Sequence, residues 1–217
     1  MTNPERLTLA ALKARTARSH VRAEKSGVVA DLLRKQASRE AFVLLLRNLE
    51  PVYAALEDSL DRLATKSPVS LIHFPAVARQ GALRGDLLRM AGPNWRELAI
   101  VPAAQDYAAR VRDVAARQPD LLLAHAYVRY FGDLNGGQIL RKLIGEALGI
   151  PAETLGFYDF SAIEAMKPFL ALYRSAFEEA LARVEDPELV LSEAEGAFEF
   201  NISVSNECQA CARRLSA

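Results

Sequence analysis

Apolar residues recur at steps of three and four along nearly the whole chain, the spacing of α-helices that bury one face. The pattern is clearest from Glu40 to Ala64, where Phe42, Leu45, Leu46, Leu49, Tyr53, Leu56, Leu60 and Leu63 share one stripe. Ser38 is placed to cap this helix. Pro51 falls inside the stripe, removes one backbone donor and crowds the preceding turn, which predicts a bend there and not an end. Upstream, Leu9, Leu12, Thr16, His20 and Ala23 share a face of a first helix that Gly27 interrupts, so His20 is expected to point inward.

Further helices are predicted from Pro75 to Met90, stopped by Gly92 and Pro93, and from Pro102 to Arg117, each with proline at its favoured first turn. A longer one runs from Pro119 to Leu148 and ends at Gly149. Ser161 with Glu164, and Ser192 with Glu195, have the capping-box form and predict starts for helices near 162–184 and 193–214. The stretches Pro68 to Phe74 and Leu98 to Val101 read as packed connections. No sheet is required, no repeat or flexible linker divides the chain, and the fold class is all-α, one domain spanning residues 1–217.

Charge narrows the function classes. Lys and Arg number 27 against 27 Asp and Glu, without a block of like charge, which argues against a nucleic-acid partner. No apolar run approaches the roughly 20 residues of a membrane span, and the stretch from Met1 to Arg6 lacks the form of an export signal. A cytoplasmic protein with no membrane partner is expected. Cys208 and Cys211 make no disulfide framework and read as packing or incidental thiols.

One segment breaks the helix rules. His125 to Gln138 carries Gly132, Gly136 and Gly137 where periodicity says the helix continues, and three interior glycines together give up roughly 3 kcal/mol relative to alanine. Two explanations are open: something approaches the backbone more closely than a β-carbon allows, with a bend, or Gly132 and Gly136 form a close helix–helix contact. Asp133 lies beside them with Arg129 one turn earlier, either as an inward carboxylate that needs partners or as an exposed ion pair. On the first helix, Glu24 follows His20 by one turn; a metal-bound imidazole commonly donates its second N–H to such a carboxylate, although a lone inward histidine also serves as a core residue.

Together the segments Leu12 to Glu24 and Ala124 to Gln138 resemble the proximal and distal helices of the haem oxygenase family. Leu172-Tyr173-Arg174-Ser175 and Phe198-x-x-Asn201-Ile202 fit as well, and the likeness covers nearly the whole chain. The resemblance implies a multi-helix fold with haem b, both cofactor and substrate, sandwiched between a proximal helix and a kinked distal one. It implies His20 as iron ligand, Glu24 as its partner, and Gly132, Gly136 and Gly137 as bare backbone over the porphyrin. It implies Asp133 as holder of a distal water network, with Tyr53, Arg129 and Asn201 as outer partners, and Lys13, Tyr127 and Arg174 as propionate contacts.

The reaction so implied is cleavage at a meso carbon, with O2 as co-substrate, to biliverdin, carbon monoxide and ferrous iron. An imidazole ligand donates less electron density than a thiolate and does less to drive O–O cleavage, which favours attack on the ring. Electrons must come from a ferredoxin or a flavoprotein reductase, and a bilin-binding protein is a possible downstream partner. One departure affects anchoring: a lysine often found one turn before the arginine at position 174 is Leu170 here, with Lys167 the nearest substitute. His125, two turns before Gly132, has no carboxylate at His20's spacing and ranks low as a rival ligand, and His73 has no identifiable partner. The alternative functions are a haem-binding or haem-delivery protein without turnover, which needs no distal carboxylate, and a di-iron bundle, which lacks the paired Glu-x-x-His motifs.

Overall fold

The computed structural model describes residues 6–151 and 155–215. The single-domain span of 1–217 and the reading of the extreme N-terminus therefore extend beyond the described residues. Within these, the chain is helical and contains no strand: α1 Leu9–Glu24, α2 Gly27–Leu33, α3 Arg39–Arg62, α4 Gln80–Ala91, α5 Pro102–Arg117, α6 Leu122–Ala126, α7 Gly132–Leu148, α8 Met166–Leu181 and α9 Pro187–Leu215. A π-helical segment, Tyr127–Phe131, joins α6 to α7 without a break.

The local signals account for most boundaries. Ser38 caps α3 by accepting a hydrogen bond from the Ala41 N–H, and α3 continues through Pro51. Thr8 does the same for α1 through Ala11. Gly149 ends α7 in the left-handed conformation, φ 64°. Asn48 fastens the connection before α5 by donating to the Ala99 carbonyl and accepting from the Val101 N–H.

Three expected starts move. Pro75 opens a short 3₁₀ turn and α4 begins at Gln80, where the Glu57 carboxylate takes the backbone N–H groups of Arg79 and Gln80. Ser161 caps nothing, and α8 begins at Met166. Ser192 lies inside α9, which starts at Pro187 because Asp186 accepts from the N–H groups of Glu188 and Leu189. In both serine cases a pattern of residue types matched, but a stronger acceptor or the chain path set the start elsewhere.

The core is one continuous apolar cluster running from Leu7 to Ala212, with α9 packed against α1, α2, α3, α5 and α6. The α1–α2 corner is locked onto α9. Gly27 has φ 53°, and a β-carbon there would lie 2.2 Å from the Ser205 carbonyl carbon. The Ser205 hydroxyl closes the corner, donating to the Ser26 carbonyl and accepting from the Val29 N–H. We expect Gly27→Ala to destabilise the protein by roughly 3 kcal/mol or more, since left-handed strain and a backbone collision add. Urea unfolding measures this, and a loss below about 1 kcal/mol would show that the corner relaxes cheaply.

Candidate active site

Four predicted residues from four parts of the chain meet in one buried network. The Tyr53 hydroxyl of α3 donates to Asp133 Oδ2 of α7. Arg129, in the π-helical segment, donates to the same hydroxyl through Nε at 2.9 Å and Nη2 at 2.7 Å. Its Nη1 donates to Asn201 Oδ1 of α9, and Asn201 is held in turn by donating to the Ala197 carbonyl at 2.9 Å. Arg129 Nη2 also lies 4.0 Å from Asp133 Oδ1, with both side chains largely buried. The exposed ion pair considered for Arg129 and Asp133 is thereby excluded.

Burial governs the protonation of this group. It lifts the Asp133 carboxyl above the usual range, while Arg129, the Tyr53 hydrogen bond and Arg79 pull the other way without cancelling it. Burial also pushes the Tyr53 phenol well up, so it remains an O–H donor. Burial opposes the Arg129 cation, but Tyr53 and Asp133 more than restore it and its guanidinium stays protonated. The arrangement is a neutral donor and a fixed cation aimed at one buried carboxylate.

The glycines divide by role. A β-carbon at Gly132 or Gly136 would meet nothing within 4 Å, which rules out the close helix–helix contact, whereas one at Gly137 would lie 3.3 Å from Tyr158. Gly132 is exposed and has ordinary helical angles, φ −60° and ψ −50°. The irregularity expected at the glycines lies just before them, in the widened turns of Tyr127–Phe131. Two glycines thus leave a strip of backbone uncovered beside Asp133, and the third lets an aromatic turn press against the back of the helix.

His20 departs from expectation. Its ring is 59% exposed, because α1 buries Leu12, Thr16 and Ser19, and that line leaves residue 20 on its flank. Nδ1 lies 3.8 Å from Glu24 Oε1, itself half-exposed, and Nε2 makes no hydrogen bond among the described residues. The ring stands edge-on to Phe198, centroids 5.8 Å apart. Phe198 precedes Asn201 by one turn of α9, so a single helix face carries the contact to His20 and the anchor of Arg129.

Two of the other predicted contacts also gather. Tyr127 and Arg174 both face Phe131, at 5.8 and 5.9 Å, and Arg174 donates to Asn135. Lys13 is exposed, one turn beyond Leu9, whose N–H bonds to Glu178 one turn beyond Arg174. Leu170 is partly buried against the core and Lys167 is exposed.

A family model described as "Heme oxygenase" matches residues 7–207. A heme oxygenase of Takifugu rubripes is 39% identical over 193 residues, 88% of this chain and 70% of its own length. Heme oxygenase 1 of Synechocystis is 37% identical over 199 residues, covering 91% of this chain and 83% of the relative. The crystal structure of heme oxygenase-1 from that cyanobacterium in complex with heme aligns with a TM-score of 0.88 at 35% identity, over 95% of this chain and 94% of that one. The chain belongs to the haem oxygenase family. Members of the haem oxygenase family are enzymes that degrade haem to biliverdin. Among the described residues, no helix of this haem oxygenase is long and apolar enough to cross a membrane.

Some contacts escaped sequence reasoning. His125 does have a carboxylate neighbour: fully buried, its Nε2 lies 3.0 Å from Glu193 Oε1, contributed by α9. Arg110 holds Glu193 with two further hydrogen bonds. His73 Nε2 lies 2.7 Å from Asp61 Oδ1. Arg79, buried over Phe160, gave no signal beyond being one more arginine. Cys208 is buried with its thiol pushed up to about 12, as packing requires.

Two measurements follow from these contacts. In the haem-free protein, Gly132→Ala and Gly136→Ala should each raise stability by about 0.8–1 kcal/mol, as for interior helical glycines with open space around them. Gly137→Ala should lower it, because Tyr158 has to move. Equal effects of all three on urea midpoints would contradict the division of roles. Burial alone would raise Glu193, but His125 and Arg110 outweigh it and bring the carboxyl down to about 2. A depressed carboxyl stabilises the fold above its unfolded value near 4.5 and loses that contribution as pH falls toward about 2. Glu193→Gln should therefore lower stability at neutral pH and flatten the stability-against-pH curve in that window.

Proposed function

We propose that this single-domain haem oxygenase would hold haem b with His20 as iron ligand and the bare backbone at Gly132 and Gly136 against the ring. The observation that carries the reading is the buried Tyr53–Asp133–Arg129–Asn201 network set beside backbone with open space where β-carbons would be. The residues present suit the group: an imidazole with Nε2 free of hydrogen bonds, and a cradle that alanine side chains would fill. Bound haem supplies the iron that activates O2 and the ring that is cleaved at a meso carbon to biliverdin, carbon monoxide and ferrous iron.

The side chains supply orientation and protons. Glu24 orients the His20 ring through Nδ1. Asp133, fixed by the Tyr53 hydroxyl, keeps lone pairs free to order water, and that water delivers protons on the distal side. Arg129 keeps Asp133 and Tyr53 in register, and Asn201 keeps Arg129 there. Gly137, backed by Tyr158, holds the strip rigid, which would limit how the ring can shift against it. Tyr127, Arg174 and Lys13 anchor the propionates, with Leu170 in place of a cation changing the in-plane grip. Electrons come from a ferredoxin or a flavoprotein reductase, the product passes to a bilin-binding protein, and the compartment is the cytoplasm.

Incubating the haem complex with O2 and an electron donor should give verdin absorption and carbon monoxide. An intact haem complex under competent reduction would support a carrier instead. His20→Ala should abolish the histidine-ligated Soret spectrum, whereas Asp133→Ala should keep haem binding and cut biliverdin yield by about a hundredfold. A preserved Soret band in the first variant, or a preserved yield in the second, contradicts the assigned role.

A further inference from the structure

Arg79 is buried, 8% exposed, yet among the described residues its side-chain hydrogen bonds all go to backbone carbonyls. Nε donates to the Ala78 carbonyl at 2.7 Å, Nη1 to those of Asp159 at 2.7 Å and Phe157 at 3.5 Å, and Nη2 to that of Ala76 at 3.4 Å. The guanidinium lies over the Phe160 ring, 3.9 Å from its centroid. Glu57, the carboxylate close by, is occupied by the backbone N–H groups of Arg79 and Gln80. A cation taken out of water without a contact counterion is costly, so its compensation has to come from farther off.

Two routes lead from it to Asp133. Phe160, under the guanidinium, approaches Gly137, one helical turn beyond Asp133. Phe157, whose carbonyl Arg79 holds, sets its ring 5.3 Å from that of Tyr53, the donor to Asp133. Phe157 and Phe160 thus stand between the guanidinium and the residues that flank Asp133, and aromatic rings screen poorly. Arg129 satisfies Asp133 only in part, since its closest approach is 4.0 Å and its bonds go to Tyr53 and Asn201.

We propose that Arg79 is a positioning residue for the distal carboxylate, a buried positive charge behind Phe157 and Phe160 that holds Asp133 in its ionised, hydrogen-bond-accepting form. The titratable groups coupled electrostatically to Asp133 are Arg129 and Tyr130 of the π-helical segment, Tyr53 of α3, Tyr107 of α5, Tyr158 of the 156–158 turn and Arg79, with Tyr53 and Arg129 in direct contact. Burial pushes all four phenols up, so the two arginines are the charges that oppose protonation of Asp133. Reciprocally, burial pulls Arg79 down, and Asp133 is the foremost of the groups that counter it. The link to catalysis rests on the role proposed above for Asp133; the electrostatic link does not.

The test is a carboxyl ¹³C NMR titration of Asp133 in the haem-free full chain, with Asp133→Asn identifying the resonance. Wild-type Asp133 should be ionised at neutral pH, a result that needs no variant to fold. Arg79→Gln should raise its midpoint by about one pH unit, a tenfold change in the ionisation constant, and Arg79→Lys by well under half of that. A protonated wild-type Asp133 at neutral pH, an unmoved midpoint in Arg79→Gln, or equal shifts in the two variants would overturn the proposal. In the haem-loaded enzyme, the pH profile of verdin formation should move with the midpoint. A moved midpoint with an unmoved profile supports the Arg79 assignment and removes instead the role given to Asp133.

Discussion

A carboxylate 6% exposed to solvent, Asp133, has to be matched by hydrogen bonds and charge wherever it stays ionised, and the parts of this fold around the distal helix are arranged to do that. Tyr53 donates to it from α3, Arg129 holds Tyr53 from the π-helical segment, and Asn201 holds Arg129 from α9. None of these groups is stable in the interior alone. Joined, they form a network in which loss of one member leaves another buried and unsatisfied, which is why three helices and a π-helical segment must keep a fixed relation to one another.

Helix α7 and the π-helical segment before it show the cost of such a site. Helical stability is surrendered at Gly132 and Gly136, where a side chain would meet no protein atom, and the widened turns of Tyr127–Phe131 aim Arg129 across to α3 and α9. The opposite side is firm. Gly137 receives Tyr158, and the turn that carries Tyr158 is gripped through its carbonyls by Arg79 and through the N–H groups of Gly156 and Phe157 by Asp86. A backbone strip left open on one side and braced on the other suits a flat ligand that must be held without being wrapped.

The long helix α9 relates the two sides of the site. It carries Phe198 against His20 and, a turn later, Asn201 against Arg129, while Ser205 locks the corner that follows α1. Displacing α9 would therefore disturb His20 and the Asp133 network together. Under the roles proposed for His20 and Asp133, the helix that positions the imidazole also positions the network that would handle protons.

Features encoded within a turn or two of chain were legible from the sequence: the stripe of α3 and its Ser38 cap, the first turn at Pro102, the stop at Gly149, and glycines placed where a helix should not want them. Motif resemblance also brought Tyr53, Arg129, Asp133 and Asn201 into one list, although only folding could make them touch, since Tyr53 and Asp133 are 80 residues apart. Tertiary structure alone decided which glycines stand open, that the Arg129–Asp133 pair is buried, that His20 is exposed, and that His125 meets Glu193 and Arg79 stands behind Phe160. The physical reason is that propensity, capping and periodicity act through neighbouring peptide groups, whereas burial and the pairing of charges depend on which distant surfaces close over a residue.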